Sequence, residues 1–402
     1  MKGLPIFGFS MTLFVFFTII FSASCFLIGY TYIIFPFILD LFSGKGKVKV
    51  VSYSENTIAP GITIIIAAFN EEDIIEKKIQ SIVESDYPRE KLEVLIGSDA
   101  SDDGTCDIIK NLQKKYAFIS LFEFNSRRGK PAVINDLVSK ATNDILILTD
   151  ANVLFERAMI HRLQVHFSNN EIGLVGANIL NIGLRKDGIS IQEKSYIERE
   201  NLIKYREGLL WGCMMGPFGG CFALRKKLFE NVPEGFLVDD FFIAMKVLEK
   251  KFKCINDLQA LCYEDVSNDI QQEYKRKSRI SAGNFQNLNH FKRMLFHPLT
   301  PAGFCFFSHK FLRWITPFLL LLTLFSLLIL SFYSSVFLYL FAAEIILLCT
   351  PIIDWLLRKM GLNLRVLRFI AYFSYMNLAL LKGFVKYVKG IDSGIWTPTK
   401  RN

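Results

Sequence analysis

The sequence predicts an α/β domain set between membrane-spanning helices, and three observations carry that reading. The chain has 402 residues, 51% of them hydrophobic, with 38 Phe and only 21% charged. That composition suits one soluble domain plus membrane segments better than two soluble domains. The apolar excess is concentrated in residues 6–42 and 311–357, whereas 45–300 reads as ordinary soluble protein. Within that middle stretch, short apolar runs alternate with charged amphipathic segments, the pattern of a parallel sheet with right-handed helical crossovers.

Taken in order, residues 6–35 form an apolar run long enough to cross about 30 Å of hydrocarbon. The run is too long for a secretory signal and lacks a small-residue cleavage site, so it is expected to be a retained helix. Residues 1–44 are therefore read as a transmembrane helix and 45–59 as a polar linker. Residues 60–290 then supply the strands "ITIIIAAF", "LEVLIGSD", "ISLFEF" and "DILILTD", separated by helical segments. Residues 291–310 are expected to lie along the interface, and 311–357 to form two further transmembrane helices. In 358–402 the apolar stretch "VLRFIAYFSYMNLALLKGFVKYV" carries cations at both ends, which favours a re-entrant or interfacial helix followed by a tail.

The net charge of +9 admits nucleic acid, anionic lipid or phosphorylated ligands. Its distribution decides between them. Lys45, Lys47 and Lys49 follow the first apolar run, and Arg358, Lys359, Arg365 and Arg368 follow the last spanning one. This is the positive-inside pattern, so a lipid bilayer is the expected partner and nucleic acid is not. It predicts a multi-pass protein of the cell (inner) membrane with its α/β domain and tail in the cytoplasm. The eight cysteines include no Cys-x-x-Cys pair, and His161 and His166, five apart, fall on different helix faces. Neither a zinc site nor a redox motif is indicated.

The chemistry stands at the ends of the predicted strands, where parallel sheets bind ligands. "AAFNEE" (67–72) follows the first and "SDASDDGT" (98–105) the second. "TDAN" (149–152) ends an apolar strand on an acid, and "LVDDFF" (237–242) sets paired acids in an apolar flank. Asp, Ser and Gly also serve as plain turn and cap residues, and two acids opening a helix can simply complement its dipole. A carboxylate in apolar surroundings, however, is also how a general base gains a raised pKa. "SRRGK" (126–130) and "RKSR" (276–279) put cations where a diphosphate could sit.

The order of these motifs resembles that of the processive membrane family 2 glycosyltransferases, which include hyaluronan, chitin, cellulose and poly-N-acetylglucosamine synthases. It runs Asn70-Glu71-Glu72, Asp99, Asp103-Gly104-Thr105, Arg128-Gly129-Lys130, Asp150-Ala151-Asn152, Gly219-Gly220, Asp239-Asp240 and Arg276 to Arg279. The resemblance covers roughly residues 60–310 and the flanking helices. It implies a GT-A, Rossmann-like nucleotide-sugar-binding domain. Asp99 would bind the base or ribose, with Phe69 and Glu71 near the base, Lys130 and Gly220 close to the donor. Asp150 would stand first in the metal motif for Mg²⁺ or Mn²⁺, with Asn152 at its second position. Asp240, paired with Asp239, would be the general base. Arg276 and Arg279 would cradle the leaving diphosphate.

Two positions depart from the family pattern. Asn152 replaces the second metal carboxylate, keeping an oxygen ligand but no charge. Arg276 and Ile280 replace the Gln and Trp of the family's Gln-x-x-Arg-Trp element. That Trp is tied to the acceptor in polymerising members, so its loss opens alternatives. The leading expectation is transfer from a nucleotide-diphosphate sugar, UDP-linked, to a growing polysaccharide, with coupled export through the membrane helices. The others are transfer of one sugar to a lipid carrier and a non-catalytic nucleotide-binding subunit of a synthase complex. Finally, Trp396 and Arg401 in the tail "GIWTPTKR" resemble a family loop that closes over the nucleotide. An interfacial anchor is the simpler reading of the same indole and cations.

Overall fold

The computed structural model describes residues 11–46, 48, 59–183, 189–265, 269–362 and 364–391. Among these residues eight strands form one sheet: β1 (Ile62–Ala68), β2 (Leu92–Asp99), β3 (Ile119–Phe124), β4 (Ile145–Asp150), β5 (Val153–Phe155), β6 (Ile172–Ile182), β7 (Cys221–Arg225) and β8 (Lys253–Asp265). Their order across the sheet is β3-β2-β1-β4-β7-β6-β8-β5. The first four pair in parallel as the sequence predicts. All seven residues of β1 are buried, because alternate side chains enter two cores. Ile62, Ile64 and Ile66 meet Ile75, Ile79 and Ile109 on one face, while Ile65 and Ala67 join Val133, Leu137 and Phe242 on the other.

The sheet is mixed, not parallel throughout. β7 runs antiparallel between β4 and β6. The reason is where the chain re-enters: Gly220 arrives at the ligand edge of β4, its carbonyl accepting from Asp150 N at 3.0 Å, so β7 can only run back along β4. This inversion delivers Gly219 and Gly220 to the edge that carries Asp150.

Among the described residues, three helices are long and apolar enough to cross a membrane: Met11–Lys45, Pro301–Leu330 and Ser335–Lys359. The second begins at Pro301, inside the stretch expected to lie along the interface, and contains a π turn at Phe306–Phe311. Arg365–Lys389 is one further helix, laid against the Ile270–Phe291 helix. There Ser281 Oγ donates to Leu380 O at 2.8 Å and Phe285 meets Phe384 at 4.9 Å between ring centroids.

The helix Ser190–Trp211 joins the sheet to the membrane helices and ends at Gly212, whose φ of 66° is the left-handed cap a glycine supplies. Its buried Glu200 and Glu207 both bond to His309, at 3.1 Å and 2.7 Å. Arg206 pairs with Asp40 of the first membrane helix.

Beneath β4, Lys78 is fully buried. Its Nζ donates to Thr149 Oγ1 at 2.9 Å and to Val153 O, and stands 3.6 Å from the Phe155 ring centroid. Burial lowers its pKa from 10.5 to about 8, against the opposing pull of Cys221, Cys262 and Asp150. Between those values the unfolded chain binds more protons here than the folded one, so this lysine's contribution to stability rises with pH across that window. The melting temperature of the wild type should therefore climb relative to Lys78→Met as pH rises from about 8 to about 10, corresponding to at most ~1.4 kcal/mol per pH unit. A gap independent of pH contradicts the shift.

Candidate active site

A cleft of about 1220 Å³ opens at the carboxyl edge of β1 and β4 and runs on to the membrane helices. Asn70, Glu71, Lys130 and Asp150 line its sheet end, and Lys310, Trp314, Phe369 and Phe373 its far end. Between them, Asp239 and Asp240 open the Asp239–Glu249 helix, where its dipole favours carboxylates.

Lys130 binds this centre together. Its Nζ is 2.7 Å from Asp150 Oδ1 and 3.6 Å from Asp239 Oδ2. Burial works against its charge, but Asp150 and Asp239 outweigh that and hold its pKa above the usual lysine value. Asp240 faces Gly219, where a Cβ would come within 2.9 Å of its Oδ2, so only glycine leaves the carboxylate its place. Gly220 is a glycine for packing reasons, since a Cβ would fall 2.7 Å from Ile179 and 2.9 Å from Val153. Burial and the charge of Asp239 raise the Asp240 pKa to about 6, offset in part by Lys130 and Lys204. A carboxylate so poised can take a proton near neutral pH.

The structure brings Glu71, Lys130, Asp150, Asn152, Gly220, Asp239, Asp240 and Arg279 together along this one cleft. Arg279 has no carboxylate within ion-pair distance among the described residues. Burial and the charge of Arg276 lower its pKa against the pull of Asp239, Asp150 and Asp240, leaving a cation turned to an arriving anion.

Three expectations change. Asp99 was expected at the base or ribose, but it is fully buried behind the cleft wall. Its carboxylate accepts from Arg128 N at 2.7 Å, Gly129 N at 3.0 Å and Arg127 Nε at 3.2 Å, so it fixes the loop that leads into Lys130. Phe69 is covered by the Arg127 guanidinium, 3.2 Å from its ring centroid, which takes the face a base would stack on. Arg276 lines the cleft, yet its guanidinium is committed to Glu273 at 2.9 Å and Glu193 at 2.8 Å rather than left for a diphosphate. Trp396 lies outside the described residues. Many acids of the first two turns satisfy each other's backbone, as where Glu72 accepts from Gly104 N at 2.7 Å.

As for a metal, Asp150 offers a carboxylate and Asn152 a carbonyl oxygen, the hard donors that Mg²⁺ and Mn²⁺ take. Asn152 Nδ2 donates to Glu264 Oε1 at 3.1 Å, which leaves its Oδ1 for a cation. Lys130 already places positive charge against Asp150. Among the described residues no three His, Cys, Asp or Glu side chains gather to hold an ion. The pair therefore fits as the protein's share of a shell completed by a diphosphate.

Sequence reasoning missed Lys204, which lies in the cleft on the Ser190–Trp211 helix. The available signal was the four-residue spacing of Gln192, Tyr196, Glu200 and Lys204, one helical face of polar groups. Such a face ordinarily reads as solvated.

Residues 63–232 match the family described as glycosyl transferase family 2, and residues 191–353 match glycosyl transferase family group 2. The poly-beta-1,6-N-acetyl-D-glucosamine synthase of Staphylococcus epidermidis is 25% identical over 244 residues, covering 58% of this chain and 57% of the relative. A dolichyl N-acetyl-alpha-D-glucosaminyl phosphate 3-beta-D-2,3-diacetamido-2,3-dideoxy-beta-D-glucuronosyltransferase of Methanococcus voltae is 37% identical over 97 residues, covering 24% of this chain and 30% of the relative. The chain thus spans less than two thirds of the length of either curated relative. Among solved structures, the mannosyltransferase PcManGT of Pyrobaculum calidifontis, in complex with GDP-Man and Mn2+, superposes with a TM-score of 0.69 at 20% identity, covering 92% of this chain and 99% of that one. That likeness shows a shared fold, the GT-A arrangement with its helices. Both family descriptions are of family 2 glycosyltransferases, and they fall in chain order over the domain that holds the cleft.

Proposed function

We propose that the chain is an inverting glycosyltransferase that moves a sugar from a nucleotide-diphosphate sugar, UDP-linked, to an acceptor hydroxyl delivered from the membrane side. The observation that carries this reading is Asp240, a carboxylate with its pKa raised to about 6, set in one cleft with Asp150 and Arg279. Asp240 takes the proton of the acceptor hydroxyl as its oxygen bonds to the anomeric carbon. The bond from that carbon to the diphosphate breaks, and the electron pair leaves with the diphosphate. Arg279 and Lys130 stand beside the departing charge, where fixed cations act without reorganising. A Mg²⁺ or Mn²⁺ at Asp150 and Asn152 would supply further neutralisation of the leaving group.

A growing polysaccharide is one source of the hydroxyl, in keeping with the name of the staphylococcal synthase. A second reading, transfer to a membrane lipid, is favoured by a specific observation. Ile280 stands where polymerising members carry the acceptor Trp, and the membrane-side wall is apolar, with Phe369, Phe373 and Met376. We propose that the catalytic domain stands at the cytoplasmic face of the cell membrane, since Lys45 closes the first span on the side from which the chain continues to that domain. A merely binding subunit is disfavoured because Asp150, Asp239 and Asp240 are all present in the cleft.

With membranes containing the protein and a panel of radiolabelled UDP- and GDP-sugars, label should be retained on polymer or lipid. Asp240→Asn should lower turnover by about two to four orders of magnitude while donor binding survives. A larger loss in Asp239→Asn would move the base to that residue. Transfer should vanish with chelator, and Asn152→Asp should tighten Mn²⁺ binding followed by electron paramagnetic resonance, because a carboxylate replaces an amide oxygen. Full transfer in excess chelator would remove the metal from the reaction.

A further inference from the structure

Lys204 is only 5% exposed, yet among the described residues no carboxylate lies within ion-pair distance of its Nζ. The Phe218 ring centroid lies 5.4 Å from its Nζ. Its neighbours are differently placed. Lys310 pairs with Glu200 at 3.2 Å, and Arg313 pairs with the same carboxylate. A buried ammonium without a counter-ion is costly. Burial and then the repulsion of Lys310 lower its pKa to about 8, although Glu200, Asp240 and Glu207 oppose them. It lines the cleft that also holds Asp240, and it lies one helical turn from Glu200 of the membrane-side cluster.

The donor's diphosphate already has cations of its own. Lys130 touches Asp150 at the sheet end, whereas Lys204 lies one helical turn from Glu200, which pairs with Lys310 and Arg313 of the membrane helix. Lys204 therefore faces the acceptor's part of the cleft. Beyond it the walls come from membrane helices, with Tyr32, Trp314, Phe369 and Phe373 lining the space. A cation at the polar end and rings at the other suit an anionic amphiphile. A phosphate acting as nucleophile would arrive deprotonated and leave Asp240 nothing to do, so the anion is an anchor beside a hydroxyl.

We propose that Lys204 binds the phosphate of a lipid-borne acceptor, which places that acceptor's hydroxyl at Asp240 and its chain along the membrane-side wall. The placement of the hydroxyl rests on the reading of Asp240 as the base; the binding of the lipid phosphate does not.

The test follows Lys204 itself, by trace acetylation of the detergent-solubilised full chain and mass spectrometry of the modified lysines. Dihexanoyl phosphatidylglycerol, an anion with free hydroxyls and short tails, should slow labelling of Lys204 by about tenfold, as expected for one charge-assisted phosphate contact. Hexyl glucoside, which has hydroxyls and a tail but no phosphate, should give no protection at the same concentration. Inorganic phosphate should give little. Protection by the glucoside would overturn the phosphate, and equal protection by inorganic phosphate would overturn the lipid. Stronger protection by UDP would reassign Lys204 to the donor, and no protection by phosphatidylglycerol would sink the site. Trp314 fluorescence supplies a second reading: Lys204→Arg should keep the response to phosphatidylglycerol and Lys204→Met lose it, whereas a response unchanged in Lys204→Met counts against the anchor. Asp240→Asn should show the same protection as wild type. A failed base with intact protection would thus remove the transfer reading and leave the lipid site standing.

Discussion

Three carboxylates crowd the edge of one sheet, and the ammonium of Lys130 is what lets them stay there. Asp150 comes from β4, Asp239 and Asp240 from a helix more than eighty residues later, and Lys130 reaches the first two at 2.7 Å and 3.6 Å. Without that cation, like charges at such range would drive protonation or separation. The supporting structure follows from holding Lys130 still. Asp99 is fully buried to fix the loop at 127–129, and Gly129, with φ of 87°, turns the chain into the helix that begins at Lys130. Asp240 feels only part of the cation's field, so burial and the charge of Asp239 still raise its pKa while Lys130 remains charged.

The same centre is tied to the membrane through one helix. Ser190–Trp211 carries Lys204 toward the cleft and Glu200 and Glu207 toward His309 in the π turn of the membrane helix. Glu207 also accepts from Met215 N at 3.1 Å, just before the Gly219 that makes room for Asp240. Movement of the membrane helices relative to the sheet would therefore strain the loop beside Asp240. Buried ionic links of this kind contribute more to geometry than to stability, since their desolvation offsets much of the attraction.

Much of this was legible in the sequence, for identifiable reasons. The strands that end in Asp99 and Asp150 announce themselves by apolar runs stopped by acids, and the acid pair at 239–240 by its apolar flank. The antiparallel β7 was not legible, because a five-residue strand with four residues buried looks alike in either direction. Asp99 misled for a similar reason: a carboxylate that binds a ligand and one that binds its own loop carry the same residue letter. The start of the second membrane helix at Pro301 was hidden by Ser308, His309 and Lys310. Those residues break the apolar pattern, but Glu200, Glu207 and Tyr30 partner them.

The central claim is that Asp240, perturbed by its neighbours, is the base whose protonation limits transfer. Single-turnover transfer from the preferred nucleotide sugar, measured against pH, tests it most directly. The rate should show an acid limb near pH 6, where Asp240 titrates, and a limb displaced upward in Lys204→Met, because that cation holds the Asp240 pKa down. A rate that stays level down to about pH 4, the ordinary range of an aspartate, would contradict it.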